Sequence, residues 1–236
     1  MKEKKISEER LDQSATRILI QKFEQGLFEN PYVDPQKART IVGNPTFSAE
    51  ATAAQARAMV LLDNKAKLLP VKNGKKVFLY GVDPKVASAR GFTVVMTARE
   101  ADFALVRLNA PYQQLHMNYF FGSRHQEGDL DFKDGNADFE AFKNVAKEAP
   151  TITTVYLARP AILTGIRDRA GAILGNFGAS DEALFDVIEG KQKAEGKLPF
   201  ELPSLMAEVL AQKSDVPHDT LHPLYPLYPL GYGQTY

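Results

Sequence analysis

Between Asn118 and Asp131 the chain reads Asn-Tyr-Phe-Phe-Gly-Ser-Arg-His-Gln-Glu-Gly-Asp-Leu-Asp. Two carboxylates, Glu127 and Asp129, stand two positions apart, Arg124 and His125 come just before them, and Tyr119 and Phe120 lie upstream. Carboxylates accept hydrogen bonds, arginine donates them in a fork, and a histidine does either near neutral pH. That mixture is the chemistry of a polar ligand site, with Glu127 at its centre. The stretch falls in a segment of roughly 28 residues without clear periodicity, and a loop that long in a compact domain is usually functional or disordered. The competing reading is a solvated surface loop, with the aromatic rings packed beneath it.

The elements that must position this loop follow from the apolar pattern. Val77 to Tyr80, Phe92 to Met96, Phe103 to Leu108, Thr151 to Leu157 and Ala170 to Leu174 are short, nearly continuous apolar runs. Helical stretches separate them: residues 137–147, a short one opened by Pro160, and one capped by Ser180 that buries Ala183, Leu184, Val187 and Ile188. Strands buried on both faces and alternating with helices predict an α/β fold, a mostly parallel sheet sandwiched between helices, over about 76 to 236. The loop 118–131 then leaves the third strand.

Upstream, Ser7 to Gln25 reads as a helix with Ser7 as cap, Glu8 and Glu9 at its positive end, and Gly26 at its left-handed exit. Its stripe of Leu11, Ala15, Ile18, Leu19, Lys22 and Phe23 must pack on something. Gly26 to Pro35 reads as an extended linker fixed by Pro31 and Pro35, and Ser48 to Asp63 as a second helix with a face of Met59, Val60 and Leu62. The expected division is 1–47, helix and linker, and 48–236, the sandwich. Downstream, Pro223 to Leu230 repeats Pro-Leu-Tyr, which suits a polyproline-like strap laid on protein surface.

Composition excludes several classes. Twenty-nine basic residues balance twenty-nine acidic ones, so nothing marks a nucleic-acid or anionic-membrane surface. Absence of cysteine removes disulfides, thiolate nucleophiles and Cys-ligated zinc. His116, His218 and His222 lack ligand spacing, so no metal site and no cofactor is expected. The charged start, Met1 to Arg10, has no apolar core and does not read as a signal peptide, and no apolar run approaches the roughly 20 residues that span a bilayer. A soluble chain is expected, its compartment open. Gly231-Tyr-Gly233 reads as packed strap rather than a phosphate loop, since no helix follows it.

Five stretches, in order, resemble glycoside hydrolase family 3. Arg17 to Asp34 is similar to the family's last barrel helix and the linker leaving the barrel. Ala56 to Asn64 with Leu69-Pro70 is similar to the opening of its second domain. Ala158-Arg-Pro-Ala-Ile-Leu163 stands where the family has Gly-Arg-Pro. Gly196 to Pro203 resembles its Gly-Lys-Leu-Pro strand, and Tyr228 to Tyr236 its Tyr-Pro-Phe-Gly-Tyr-Gly-Leu-Ser-Tyr ending. The chain departs at Leu130, where arginine often follows Gly-Asp, and at residues 178–182, where a glycine-rich turn is usual.

The resemblance implies a retaining, exo-acting β-glycosidase, β-glucosidase-like, acting on β-linked glycosides or oligosaccharides. Such hydrolysis needs two carboxyl groups about 5 Å apart, a nucleophile and an acid/base. The nucleophilic aspartate is expected on an N-terminal TIM-like barrel, in the same polypeptide or a separate subunit; this chain has no tryptophan for the Ser-Asp-Trp type of motif, so alone it should be inactive. Glu127 is the implied acid/base, with Asp129 as alternative, and burial against sugar and barrel should raise its pKa. Tyr119, Phe120, Arg124 and His125 would line the sugar pocket, while Arg159 reads as structural, holding a strand end. The rival readings are a non-catalytic structural or carbohydrate-binding module that completes a barrel's cleft, and a generic doubly wound domain with its ligand at the carboxyl ends of the strands.

Overall fold

The computed structural model describes residues 6–213 and 225–235. Two compact units make up the chain, Met1–Ser48 and Ala49–Tyr236.

In the first unit, α1 (Glu8–Glu24) starts where the Ser7 hydroxyl accepts from the Arg10 N–H. It stops at Gly26, whose φ of +67° lets the Leu27 N–H reach back to the Lys22 carbonyl. Its apolar stripe is exposed, with Ile18 60% and Phe23 58% accessible. The expected linker is shorter than the prolines suggested. Asp34 caps a helix, α2 (Pro35–Ile41), because Pro35 sits at its first turn, where no N–H is needed. A third helix, α3 (Pro45–Ala58), starts in this unit and has most of its residues in the second.

The second unit is built on a six-stranded sheet. Its strands are β1 (Val60–Asp63), β2 (Lys76–Tyr80), β3 (Thr93–Val94), β4 (Phe103–Asn109), β5 (Thr151–Tyr156) and β6 (Ala172–Asn176). The spatial order is β1-β6-β5-β4-β2-β3; β2 to β6 run parallel, and β1 lies antiparallel along β6. The parallel α/β architecture is as the apolar runs predict. The second helix is not: it ends at Ala58, and Val60 to Asp63 form β1, with Val60, Leu61 and Leu62 fully buried.

Alternation along β4 divides the core. Ala104, Val106 and Leu108 face one layer with Phe139, Phe142 and Val145 of α5 (Ala137–Ala146) and Ile166 of α6 (Thr164–Arg167). Phe103 and Leu105 face the other layer, with Ala87 of α4 (Pro84–Ala89) and Leu184, Phe185, Val187 and Ile188 of α7 (Asp181–Ile188). Arg107, on this second face, pairs with Asp181 at 2.5 Å where the strand reaches the start of α7. A last short helix is α8 (Met206–Ala211). The chain end returns as an extended ribbon: Tyr228 pairs with Leu202 and is 2% exposed, and Gln234 bridges to Leu61. Pro223 and Leu224 of the expected strap, and His218 and His222, lie outside the described residues. Among the described residues, no helix is long and apolar enough to cross a membrane.

Candidate active-site loop

Residues 110–136 connect β4 to α5 at the carboxyl edge of the sheet. The neck of this loop is a single antiparallel bridge. The Gln113 N–H donates to the Glu127 carbonyl at 2.8 Å, and the Glu127 N–H donates back to the Gln113 carbonyl at 3.0 Å. Gly128 follows with φ +67°, and a Cβ there would stand 2.1 Å from the Gln113 side-chain oxygen, so any other residue would be strained and would push the Gln113 amide aside. That same oxygen accepts from the Asp129 N–H at 3.2 Å. Farther out, Phe121 adopts a left-handed φ of +62°, and Gly122 lies so close to the His116 carbonyl that a Cβ would be 2.0 Å from it.

These constraints put Glu127 beside two histidines. His116 Nδ1 stands 2.8 and 2.9 Å from the two carboxylate oxygens, and His125 Nδ1 is 3.7 Å from Oε1. Tyr119 stacks on the His116 ring at 4.6 Å and meets His125 edge-on at 6.4 Å. Glu127, His125 and Tyr119 are thus brought together in one cluster. His116, absent from the expected set, is the nearest partner of Glu127. Eleven residues separate the two, and only the Gln113–Glu127 bridge makes them neighbours, a pairing with no signal in composition or spacing.

The other candidates are placed differently. Phe120 is 86% and Tyr119 56% exposed, so neither ring is packed beneath the loop. Phe120 rests on Phe121 at 4.2 Å between centroids, and the Arg124 guanidinium lies over the Phe121 ring at 5.3 Å. Asp129 turns to Lys133, four residues along, and accepts from the Asp131 N–H at 3.0 Å. Its neighbour Leu130 is buried and pairs through its carbonyl with the Ile162 N–H at 3.0 Å.

Electrostatics separate the two carboxylates' surroundings without raising either. The hydrogen bond from His116, reinforced by the His125 charge against a smaller opposing effect of burial, holds Glu127 below the ordinary glutamate range. The rise expected from burial against sugar and barrel concerns surfaces outside this chain; within it the carboxyl faces imidazoles rather than apolar surface. Burial pushes Asp129 upward, but Lys133 and the Asp131 N–H outweigh it and leave it lowered. Asp131 is raised by its burial and by the neighbouring Asp129 charge.

Arg159 does not simply hold a strand end. Its Nη1 donates to the carbonyls of Pro111 at 3.0 Å and Glu127 at 2.7 Å, and its Nη2 donates to that of Gly128 at 2.9 Å. A separate cavity of about 310 Å³ opens at the carboxyl ends of β4 and β5, lined by Asn109, Tyr112, Gln126 and Tyr156. Among the described residues no group of three or more His, Asp or Glu side chains is arranged to hold a metal ion.

Residues 92–236 match the family model described as "Glycosyl hydrolase family 3 C-terminal domain". The chain is 46% identical over 229 residues to a protein named "Periplasmic beta-glucosidase/beta-xylosidase" from Dickeya chrysanthemi, covering 97% of this chain and 34% of that protein. It is 41% identical over 229 residues to "Beta-glucosidase C" from Emericella nidulans, covering 95% and 36%. The chain thus spans about a third of the length of these relatives. Among solved structures, a β-glucosidase from Erythrobacter marinus aligns with a TM-score of 0.74 at 18% identity over 98% of this chain and 40% of that one. One from Listeria innocua, in complex with glucose, aligns at 0.68 and 20% identity over 100% and 40%; these two share the fold. A family match over more than half of the sequence, together with 46% identity to the Dickeya protein over 97% of this chain, means that the chain belongs to glycoside hydrolase family 3, as a C-terminal domain of its β-glucosidase/β-xylosidase-like proteins.

Proposed function

We propose that this chain supplies the acid/base half of a retaining, exo-acting β-glycosidase that removes terminal β-glucosyl or related residues. The nucleophilic carboxylate would come from an N-terminal barrel domain, in the same polypeptide or a partner subunit. The supporting observation is the placement of Glu127: a part-exposed carboxyl at the rim of a stapled loop, flanked by two imidazoles and outward-facing aromatic rings. Exposed rings suit stacking on the apolar faces of a sugar, and Arg124 and His125 can hydrogen-bond its hydroxyls.

The chemistry then takes two steps. As the barrel's carboxylate attacks the anomeric carbon, the Glu127 carboxylic acid gives its proton to the glycosidic oxygen, and the alcohol leaves. Glu127, now ionised, takes a proton from water as that water's oxygen displaces the enzyme's carboxylate and frees the sugar. Asp129 is the weaker candidate, since its carboxylate is already engaged by Lys133 and by backbone N–H groups. Glu127 must gain a proton to begin, so the His116 contact has to loosen or be exchanged when sugar and barrel are present.

A second reading has one observation in its favour. Because the His116 contact lowers the Glu127 pKa and so favours its ionised form, the loop could complete a cleft without transferring protons. The two readings part in a graft in which this chain replaces the matching third of the Dickeya protein. Glu127→Ala should lower turnover of a nitrophenyl glucoside by roughly two orders of magnitude or more, with azide restoring part of it. Unchanged turnover would leave the module non-catalytic. The ungrafted chain should hydrolyse nothing.

A further inference from the structure

The guanidinium of Arg159 reaches across the neck of the loop and binds both of its strands. On the outgoing side it holds the Pro111 carbonyl; on the returning side it holds those of Glu127 and Gly128, and its Nη1 lies 3.5 Å from that of Asp129. Arg159 itself is part-buried and precedes Pro160, whose ring fixes the backbone after it. Among the described residues no carboxylate is a hydrogen-bond partner of Arg159, although Glu127 and Asp129 are both within reach of its field. A cation placed only to offset charge would pair with one of these acids. This one spends its planar fork on carbonyl oxygens of the residues that carry them, which fixes backbone geometry.

We infer that Arg159 is a positioning residue for Glu127: its fork clamps the loop neck and so sets where the glutamate carboxyl stands. The catalytic consequence rests on the reading of Glu127 as acid/base; the clamp itself does not. With the fork in place, the Gln113–Glu127 bridge and the Gly128 turn hold the register that sends the Glu127 side chain toward His116. A lysine offers a point charge with rotatable donors and cannot hold carbonyls on both strands in one plane. A methionine keeps much of the stem and removes every donor.

Two measurements test this. In the grafted enzyme, Arg159→Met should lower kcat/KM roughly ten- to a hundredfold for an alkyl glucoside, whose leaving group needs the proton. The loss should be less than about threefold for a dinitrophenyl glucoside, whose leaving group does not. Arg159→Lys should fall between parent and Arg159→Met. An equal loss on both substrates, or no loss on either, would overturn the catalytic consequence. In the 236-residue chain alone, carbon-detected NMR should find the Glu127 carboxyl titrating below an ordinary glutamate in the parent and close to one in both variants. Amide exchange at Val106 and Val155 reports that the sheet is intact; should Arg159→Met not fold, Arg159→Lys carries the same readings. A Glu127 titration unchanged by substitution would sink the clamp. If Glu127→Ala proves silent in the graft while the titration moves, the functional reading fails and the positioning role stands.

Discussion

At the scale of single residues, the pairing of Glu127 with His116 decides the pH behaviour. Its folded pKa is depressed, so this carboxylate contributes stability above the unfolded value of about 4.3 and loses it as pH falls through the folded value. Catalysis runs with the opposite sign. A general acid works while protonated, so the basic limb of kcat/KM against pH follows its pKa. His116→Gln removes the strongest cause of the depression and leaves the neck bridge untouched. In the grafted enzyme the basic limb should therefore move to higher pH, read from a pH–rate profile with an alkyl glucoside. A limb that stays put would mean that His116 no longer faces Glu127 once the barrel is in place. Glu127 could be singled out in the sequence because Glu-Gly-Asp in a long aperiodic loop is a local signal. The partnership of His116 and the place of Arg159 at the loop neck could not: one meets Glu127 through a two-residue bridge, the other from 32 positions away.

At the scale of elements, legibility tracked how locally each element is determined. The five parallel strands β2 to β6 and the helices α5 and α7 are written in apolar runs, with caps at Asn136 and Ser180 whose side chains accept from Phe139 and Ala183. The failures share a cause. Met59 to Leu62 follows an alanine-rich helix without a break, and a short apolar run does not distinguish strand from helix by period; only pairing with β6 settles it. The helix expected at Pro160 begins at Thr164 instead, because Ile162 pairs with the loop, its N–H donating to the Leu130 carbonyl. The C-terminal ribbon offers a test of how such an element is held. Tyr228 is buried against the Arg167 guanidinium, yet its hydroxyl has no hydrogen-bond partner among the described residues, and burial raises its pKa. A buried, unsatisfied hydroxyl costs stability, whereas the ring earns it through packing. Tyr228→Phe should therefore leave the urea midpoint unchanged or raise it, while Tyr228→Ala should cost about 3–5 kcal/mol. A clear drop for Tyr228→Phe would mean that the hydroxyl has a partner in solution.

At the scale of the whole molecule, the family relationship and the surface of α1 bear on the same question. The relatives are about three times as long as this chain, and α1 carries Leu11, Ile18, Leu19 and Phe23 on a helix with no buried residue. A 17-residue helix with its apolar stripe in water gains little from packing, so its stability rests on the Ser7 cap, the acidic first turn and the Gly26 exit. If the stripe is the seat of a barrel, as the proposed function requires, polar substitutions there should be silent in one context and severe in another. Ile18→Glu with Phe23→Glu should leave the thermal unfolding of the 236-residue chain within about 1 °C of the parent, since neither side chain is buried in it. In the graft, the same pair would place two carboxylates in an apolar contact, where an unpaired buried charge costs several kcal/mol. There it should depress the unfolding temperature and yield of folded enzyme, with kcat per folded molecule little changed, because the acid/base loop is untouched. Equal tolerance in both contexts would show that α1 does not meet the barrel. Equal damage in both would mean that the stripe packs within this chain, and the barrel's seat would then have to be sought among the exposed aromatic residues of the loop itself.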